Sequence, residues 1–310
     1  MDVVVTGSSG LIGSALGPAL ARAGHRMIPM VRSATTKSDG LLWDPPNGTI
    51  DAGGLEGINA IVNLAGEGIG EKRWNDAQKA RIRDSRIKGT RLLAETLAKL
   101  QQPPAVLVSG SAVGFYGDRG DEILTEASPP GTGFLAELSR DWEAATAPAE
   151  AAGIRVAHLR TGIVLAAGGG ALKKMLTPFK LGLGGKLGSG RQWMSWIALD
   201  DEVGAIVHLL GDGTAATITG PTPPAGAVNG TAPNPVTNAE LTRAIGEQLK
   251  RPTVLPVPKA GLRLLLGGEM AEELLLGGQR VLPTRLLDSG YQFQFPNLGP
   301  ALHRVLARAS

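Results

Sequence analysis

Glycines at positions 7, 10 and 13 stand between a short valine run and an apolar pattern of helical period. In that order, Gly7 admits a tight turn, Gly10 lets the backbone approach a pyrophosphate, and Gly13 lets helix and strand lie close together. Ser9, Leu11 and Ile12 sit around the helix start, which presents free N–H groups and the positive end of the helix dipole to phosphate. The chemistry this spacing supports is dinucleotide binding, and the strand–turn–helix context favours it over a turn that is only structural.

The end of the next strand selects the cofactor. A carboxylate there would bond the adenosine ribose hydroxyls and repel a 2′-phosphate. Here Arg32 and Lys37 come first, and the first acidic residue is Asp39. A guanidinium fork suits a phosphate dianion, so NADP(H) is expected rather than NAD, the alternative being a solvated surface arginine.

Other chemistries lose support. The chain of 310 residues has no cysteine, which removes disulfides, thiolate nucleophiles and cysteine-ligated metal. The four histidines, at 25, 158, 208 and 303, form no i,i+4 pair, so no metal is expected. No Gly-x-Ser-x-Gly elbow and no P-loop occurs. A net charge of +3 without a basic stripe, and 4% aromatic residues, give no support to nucleic-acid binding. No signal peptide and no stretch of about 18 apolar residues is found, so a cytoplasmic protein away from membranes is expected, as a monomer or homodimer.

These residues need a frame to hold them. Glycine, at 44 of 310, is about twice its ordinary share of ~7%, and gathers at turns and in a few dense loops. Residues 2–6 and 26–31 read as strands with a helix between, interrupted by Pro18. Strands at 57–64, 105–109 and 155–159 alternate with helical patterns at 75–100 and 142–152. This predicts an α/β fold of Rossmann type, a doubly wound parallel sheet with a smaller C-terminal lobe. The expected boundary lies near 165: residues 1–165 form the NADP-binding domain, to which 191–212 return. Residues 166–310 form a substrate lobe, with a helical C-terminal domain at about 250–300. Residues 212–235 read as loop.

The chain resembles the extended short-chain dehydrogenase/reductase superfamily. More narrowly it resembles the NAD-dependent epimerase/dehydratase-like family whose C-terminal end carries a small domain of unknown function. The segments that carry the likeness include NLAGE (63–67), DSRIKGTRLL (84–93), SAVGFYG (111–117), GFLAELSRDWE (133–143), LRTGIVL (159–165) and GSGRQWMSWI (188–197). They span nearly the whole chain. The resemblance implies that Leu64 and Ala65 lie along the adenosine, that Arg86 reaches a phosphate or ribose, and that 161–164, including Val164, borders the nicotinamide. It also implies a nucleotide-linked substrate, for which Lys173, Lys174, Arg191 and Gln192 are candidates, unless they form a solvated basic loop.

One departure is sharp. Such enzymes use a Ser, a Tyr and a Lys four residues after the Tyr, the tyrosine exchanging a proton with substrate. Ser111 is in place, but residues 134–139 read Phe-Leu-Ala-Glu-Leu-Ser. Tyr116 is either a substitute acid or a wall of the pocket. Glu122 and Glu126 are acid–base candidates or solvated carboxylates, and Trp193 and Trp196 either cover a ring or fill the core. The expected function is an NADP(H)-binding oxidoreductase or epimerase-like enzyme acting on a small polar, nucleotide-linked molecule. The alternative is a catalytically reduced NADP(H)-binding regulator, linked to cell division by a label that relatives have carried.

Overall fold

Val3, Val4 and Val5 are all fully buried in strand β1 (Asp2–Thr6), as a β-branched run between two helix layers must be. The computed structural model describes residues 1–32, 40–211 and 223–307. After β1 come α1 (Leu11–Arg22), β2 (Arg26–Val31), β3 (Leu41–Asp44), β4 (Thr49–Ile50), β5 (Ala60–Asn63), α2 (Asp76–Leu97), β6 (Val106–Ala112) and β7 (Ile123–Leu124). The middle of the chain holds α3 (Phe134–Ala144), α4 (Ala147–Ala151), β8 (Arg155–Thr161), β9 (Ile163–Leu165), α5 (Gly170–Lys180), β10 (Trp193–Met194), β11 (Trp196–Ala198) and α6 (Leu199–Leu210). The last part holds β12 (Gly226–Gly230), β13 (Val236–Thr237), α7 (Asn238–Leu249), α8 (Lys259–Leu266), α9 (Gly268–Ala271), β14 (Arg280–Val281), α10 (Thr284–Asp288) and α11 (Leu298–Ala307).

The main sheet has eight strands in the order β12-β8-β6-β5-β1-β2-β3-β4. All neighbours are parallel except β3 and β4. From β1 the chain first winds outward to β2, then returns to the other side at β5. That reversal opens a crevice at the carboxyl ends of β1 and β5, where open parallel sheets bind ligands. The two-residue period of β1 splits the core: Val3 and Val5 join Leu16, Leu20, Ile206 and Leu209 on one face, while Val4 joins Leu93, Leu97 and Leu107 on the other.

Three readings are corrected. The helix expected from 142 begins at Phe134 and breaks between α3 and α4. The loop expected over 212–235 contains β12, paired with β8 from Gly226↔Ala157 to Gly230↔Thr161. Its Gly-Ala-Val-Asn-Gly sequence lacks a β-branched run, and burial against β8 supplies what propensity does not. The glycine-dense stretch 166–190 contains α5, whose Leu172, Leu176 and Phe179 pack with Trp196, Leu241, Ile245 and Leu302 in a separate core. No helix among the described residues is long and apolar enough to cross a membrane.

Candidate functional site

Gly7 has φ +66°, and a Cβ there would stand 2.9 Å from the backbone carbon and oxygen of Leu64. At Gly13 a Cβ would meet the Gly7 carbonyl oxygen at 2.3 Å, so α1 can lie this close to β1 only without a side chain. Gly10 is different: its nearest contact would be the Gly7 oxygen at 3.2 Å, and its other side opens on the crevice. The first turn of α1 closes with Ser14 N–H donating to the Gly10 carbonyl at 2.9 Å. The amides of Leu11, Ile12 and Gly13 precede that bond, so the helix itself offers them no acceptor, and no side chain caps α1.

A buried chain of hydrogen bonds sets the opposite lip. Thr6 Oγ1 donates to Asn63 Oδ1 at 2.7 Å and accepts from the amides of Leu64 (3.1 Å) and Ala65 (3.2 Å). Asn63 Nδ2 and Trp142 Nε1 both donate to Thr90 Oγ1, at 2.8 and 2.9 Å. The turn 64–65 is thereby tied to α2 and α3.

Two chambers meet over the glycine turn and share Gly7, Gly10, Leu64 and Gly66. The chamber beside β2, of ≈ 730 Å³, is walled by Ser9, Arg32, Trp43, Ala65, Arg81 and Lys88 among others. The other, of ≈ 460 Å³, reaches Leu11, Ile12, Arg86, Ser111, Thr161 and Trp193. Together they offer a turn for a pyrophosphate, a basic rim and a mixed polar–apolar inner end, so the residues present fit a dinucleotide. Lys37 lies outside the described residues. Arg86 Nη1 donates to the Glu67 carbonyl (2.8 Å) and the Ile82 carbonyl (3.2 Å), its guanidinium 5.1 Å from the Trp142 ring. Burial lowers its pKa to about 10, with Glu67 opposing, which leaves it a cation at neutral pH.

At the inner chamber, Ser111 Oγ donates to Glu143 Oε1 at 2.6 Å. Glu143 also accepts from Arg160 Nε and Nη2, both at 2.8 Å. Arg160 stacks on Phe115, 3.4 Å from the ring centroid, and its Nη1 donates to the Tyr116 hydroxyl at 3.0 Å. Tyr116 in turn donates to Asn229 Oδ1 at 2.7 Å, is fully buried and takes no part in the cleft wall. Burial raises its pKa, with Arg160 and Asn229 opposing. Leu135 and Ser139, four residues apart on one face of α3, stand on the cleft in the segment where a Tyr and a Lys are expected.

Thr161 reaches the chamber from the other face of the sheet. Its Oγ1 donates to Glu202 Oε1 at 2.7 Å, and Glu202 is fully buried on α6. Thr161, Gly162 and Ile163 line the cleft, whereas Val164 does not, since it pairs with Ile197 in the small β9–β11 ladder. Of the aromatic pair, Trp193 lines the cleft, donating to Asp121 Oδ1 at 2.7 Å, and Trp196 is fully buried.

The residues suggested for an anionic substrate are not brought to the cleft. Lys173 and Arg191 are exposed on the surface, Lys174 pairs with Glu71 at 2.9 Å, and Gln192 Nε2 donates to the Leu187 and Leu275 carbonyls at 3.2 and 2.8 Å. Glu122 pairs with Arg119 at 2.8 Å, and Glu126 Oε1 accepts the Asn229 amide at 3.0 Å. Part of the inner-chamber wall comes instead from Glu273, Leu274, Gly277 and Gln279 near the C-terminus, which no local pattern announces. Arg81, Ser85 and Lys88 were legible in principle: their i, i+4, i+7 spacing puts them on one face of α2, facing the outer chamber.

Comparison with known proteins follows the same outline. A model of the NAD dependent epimerase/dehydratase family matches residues 3–218, and a domain of unknown function, DUF1731, matches 257–305. The chain is 45% identical over 306 residues to epimerase family protein Mb2239 of Mycobacterium bovis, covering 99% of this chain and 98% of that one. It is similar to the crystal structure of human epimerase family protein SDR39U1 with NADPH, at TM-score 0.88 and 36% identity, covering 99% of both chains. It is also similar to a nucleoside-diphosphate sugar epimerase from Corynebacterium glutamicum, at TM-score 0.77 and 39% identity, covering 98% of this chain and 58% of that one.

Proposed function

The chain belongs to the NAD dependent epimerase/dehydratase family, and on that premise we propose that it binds NADP(H) in the two-chamber cleft and acts as an oxidoreductase or epimerase-like enzyme on a small polar, nucleotide-linked substrate. The observation that carries the cofactor choice is Arg32, which follows β2 and walls the outer chamber where a carboxylate would select NAD. The human relative's structure with NADPH supports the same choice.

In this reading Gly7, Gly10 and the α1 amides hold the pyrophosphate, Arg32 the 2′-phosphate, Leu64 and Ala65 the adenosine, and Arg86 a phosphate or ribose oxygen. When bound, NADP(H) supplies hydride transfer, and the protein orients and excludes water. Ser111 has committed its proton to Glu143, so toward the cleft it offers lone pairs and accepts a hydrogen bond from a ligand hydroxyl. Tyr116 exchanges no proton with a ligand, since its hydroxyl is enclosed by Asn229 and Arg160.

Calorimetric titration of the cofactor-stripped protein with NADPH and NADH tests the reading. Binding of NADPH at least tenfold tighter than NADH is expected, and equal or absent binding of both overturns it. Leu135 and Ser139 on the face of α3 also favour a second reading, a regulator that binds NADP(H) without turnover. It predicts a protein partner whose association changes on adding NADPH.

A further inference from the structure

Glu202 is a carboxyl in an unusual place. It sits in the first turn of α6, fully buried, with Oε1 on the Thr161 hydroxyl at 2.7 Å and Oε2 without a hydrogen-bond partner. Oε2 lies over Gly230, where a Cβ would come within 2.8 Å of it, so the strand beside it is bare at that point. Among the described residues the hydrogen bond that holds this carboxyl comes from Thr161, and Thr161 is itself cleft wall.

From the contact between a sealed carboxyl and a hydroxyl on the cleft surface, we infer that Glu202 is a stored proton, delivered through Thr161 to an oxygen of the molecule bound in the inner chamber. An unpaired carboxylate in such a place would carry the cost of a buried charge; in the acid form the contact runs the other way, Glu202 donating to Thr161 Oγ1, which frees the Thr161 hydrogen toward the cleft. The charged and titratable neighbours do not compete. Asp200 and Asp201 are on the same helix, and Asp201 accepts the Gln294 and Phe295 amides at 2.7 and 2.9 Å. Tyr291, from the C-terminal segment, donates to the Asp201 carbonyl at 2.9 Å, and its phenol is raised first by burial, then by Asp201 and Glu202. Arg160 is on the opposite face of β8, engaged by Glu143. Burial raises the Glu202 pKa to about 7, opposed by the Thr161 bond, which places its proton in the working range.

This rests on the proposed NADP(H) chemistry for its use, and the balance is that of a carbonyl reduction. A bound dihydronicotinamide would be the reductant, its hydride going to the carbonyl carbon while the C=O π pair would move to oxygen. That oxygen takes the Thr161 proton, Thr161 takes the Glu202 proton, and Glu202 is left as carboxylate. In the reverse direction the same relay accepts a proton. Ser111 and Thr161 then serve the cleft from opposite faces of adjacent strands, since Ala112 pairs with Thr161 and Ser111 with Arg160.

Infrared difference spectroscopy of the cofactor-free protein reads the stored proton without any turnover. A carboxylic-acid C=O band that disappears as pH rises through about 7, and is missing in Glu202→Gln, is expected. In heavy water that band should shift as the proton exchanges through the cleft, and Thr161→Val should slow the shift about tenfold or more. Absence of the band, or its survival in Glu202→Gln, overturns the stored proton; exchange unchanged in Thr161→Val overturns the relay. If Glu202→Gln fails to fold, the pH titration of the wild-type band and the Thr161→Val exchange still decide. NADPH calorimetry on the same samples separates a failure of this proposal from a failure of the cofactor reading.

Discussion

Ser111 Oγ and Glu143 Oε1 lie 2.6 Å apart, with the hydroxyl as donor, on the α3 side of the sheet. Across the strands, Thr161 and Glu202 make a second hydroxyl–carboxyl pair at 2.7 Å on the α6 side. The two carboxyls have opposite surroundings: Arg160 grips Glu143 with two hydrogen bonds, while Glu202 has no cation partner among the described residues and is buried from water. Groups of one chemistry pushed apart in this way take different roles, one as fixed acceptor and one as proton source.

The Arg160–Glu143 pair is buried, and Arg160 is only 4% exposed. Removing one partner strands a guanidinium out of water. Glu143→Gln is therefore expected to cost roughly 3–5 kcal/mol, read as a lower urea midpoint. Ser111→Ala removes a hydroxyl donor to that carboxylate and should cost about 1.5–3 kcal/mol.

Substitutions in the glycine turn separate folding from binding. Gly13→Ala puts a methyl 2.3 Å from the Gly7 oxygen, so it should lower the melting temperature and abolish NADPH binding together. Gly10→Ala meets that oxygen only at 3.2 Å and should fold, yet block the close approach of a pyrophosphate. Arg32→Ala should weaken NADPH by tenfold or more, corresponding to about 1.5–3 kcal/mol for a charge-assisted bond, and leave NADH nearly unchanged. Calorimetry of the three variants distinguishes these patterns.

The glycine turn, Arg32, Leu64, Ala65, Arg86 and Ser111 line the cleft, and the sequence could bring them there because each depends on a local element: a turn, a strand end or one helix face. Tyr116 was misplaced for a physical reason. The sequence places it beside Ser111, but whether its hydroxyl faces a cleft or a core depends on Asn229 and Arg160, which are 113 and 44 residues away. Lys173, Arg191 and Gln192 are candidates by analogy with the family resemblance and by their charge and polarity, and neither says which way a glycine-rich loop faces. Glu202 was invisible because an acid in a helix's first turn reads as a dipole partner, and only its burial under β12 makes it unusual.

Tyr116→Phe tests the enclosed hydroxyl. It deletes a bond to Asn229 and one from Arg160, for an expected loss of about 1–3 kcal/mol in urea unfolding. The NADPH dissociation constant should stay within twofold of wild type. A tenfold weaker constant would place the hydroxyl in contact with ligand.

Glu202 also predicts how stability depends on pH. The ordinary pKa of 4.5 is raised to about 7 in the fold, so the native state holds a proton that the unfolded chain has released between those values. Below about 4.5 both states are protonated and nothing is lost. Stability then falls as pH rises through that window, and above about 7 the full cost is present. Glu202→Gln has no such cost, so its stability relative to wild type should grow from pH 4.5 to 7 by on the order of 3 kcal/mol. Unfolding curves at pH 5, 6, 7 and 8 check it, and a constant gap would mean the carboxyl is ionised throughout.

Glu273 shows how the C-terminal region bears on the site. Its carboxylate accepts the Phe134 and Leu135 amides at 2.9 and 2.8 Å, capping α3 from 138 residues away. Gly133 makes room: its φ is +102°, and a Cβ there would stand 2.9 Å from Glu273 Oε1. Leu135 and Ser139 are thus aimed at the cleft by a residue that also lines it. A helix cap of this kind contributes about 1–2 kcal/mol. In Glu273→Ala, amide exchange at 134–138 should therefore speed up by roughly 5–30-fold, while the amides of β6 keep their wild-type rates. Hydrogen-exchange mass spectrometry resolves the two segments. Equal acceleration in both would mean that the substitution loosens the whole fold and that the clasp on α3 has no local part in shaping the cleft.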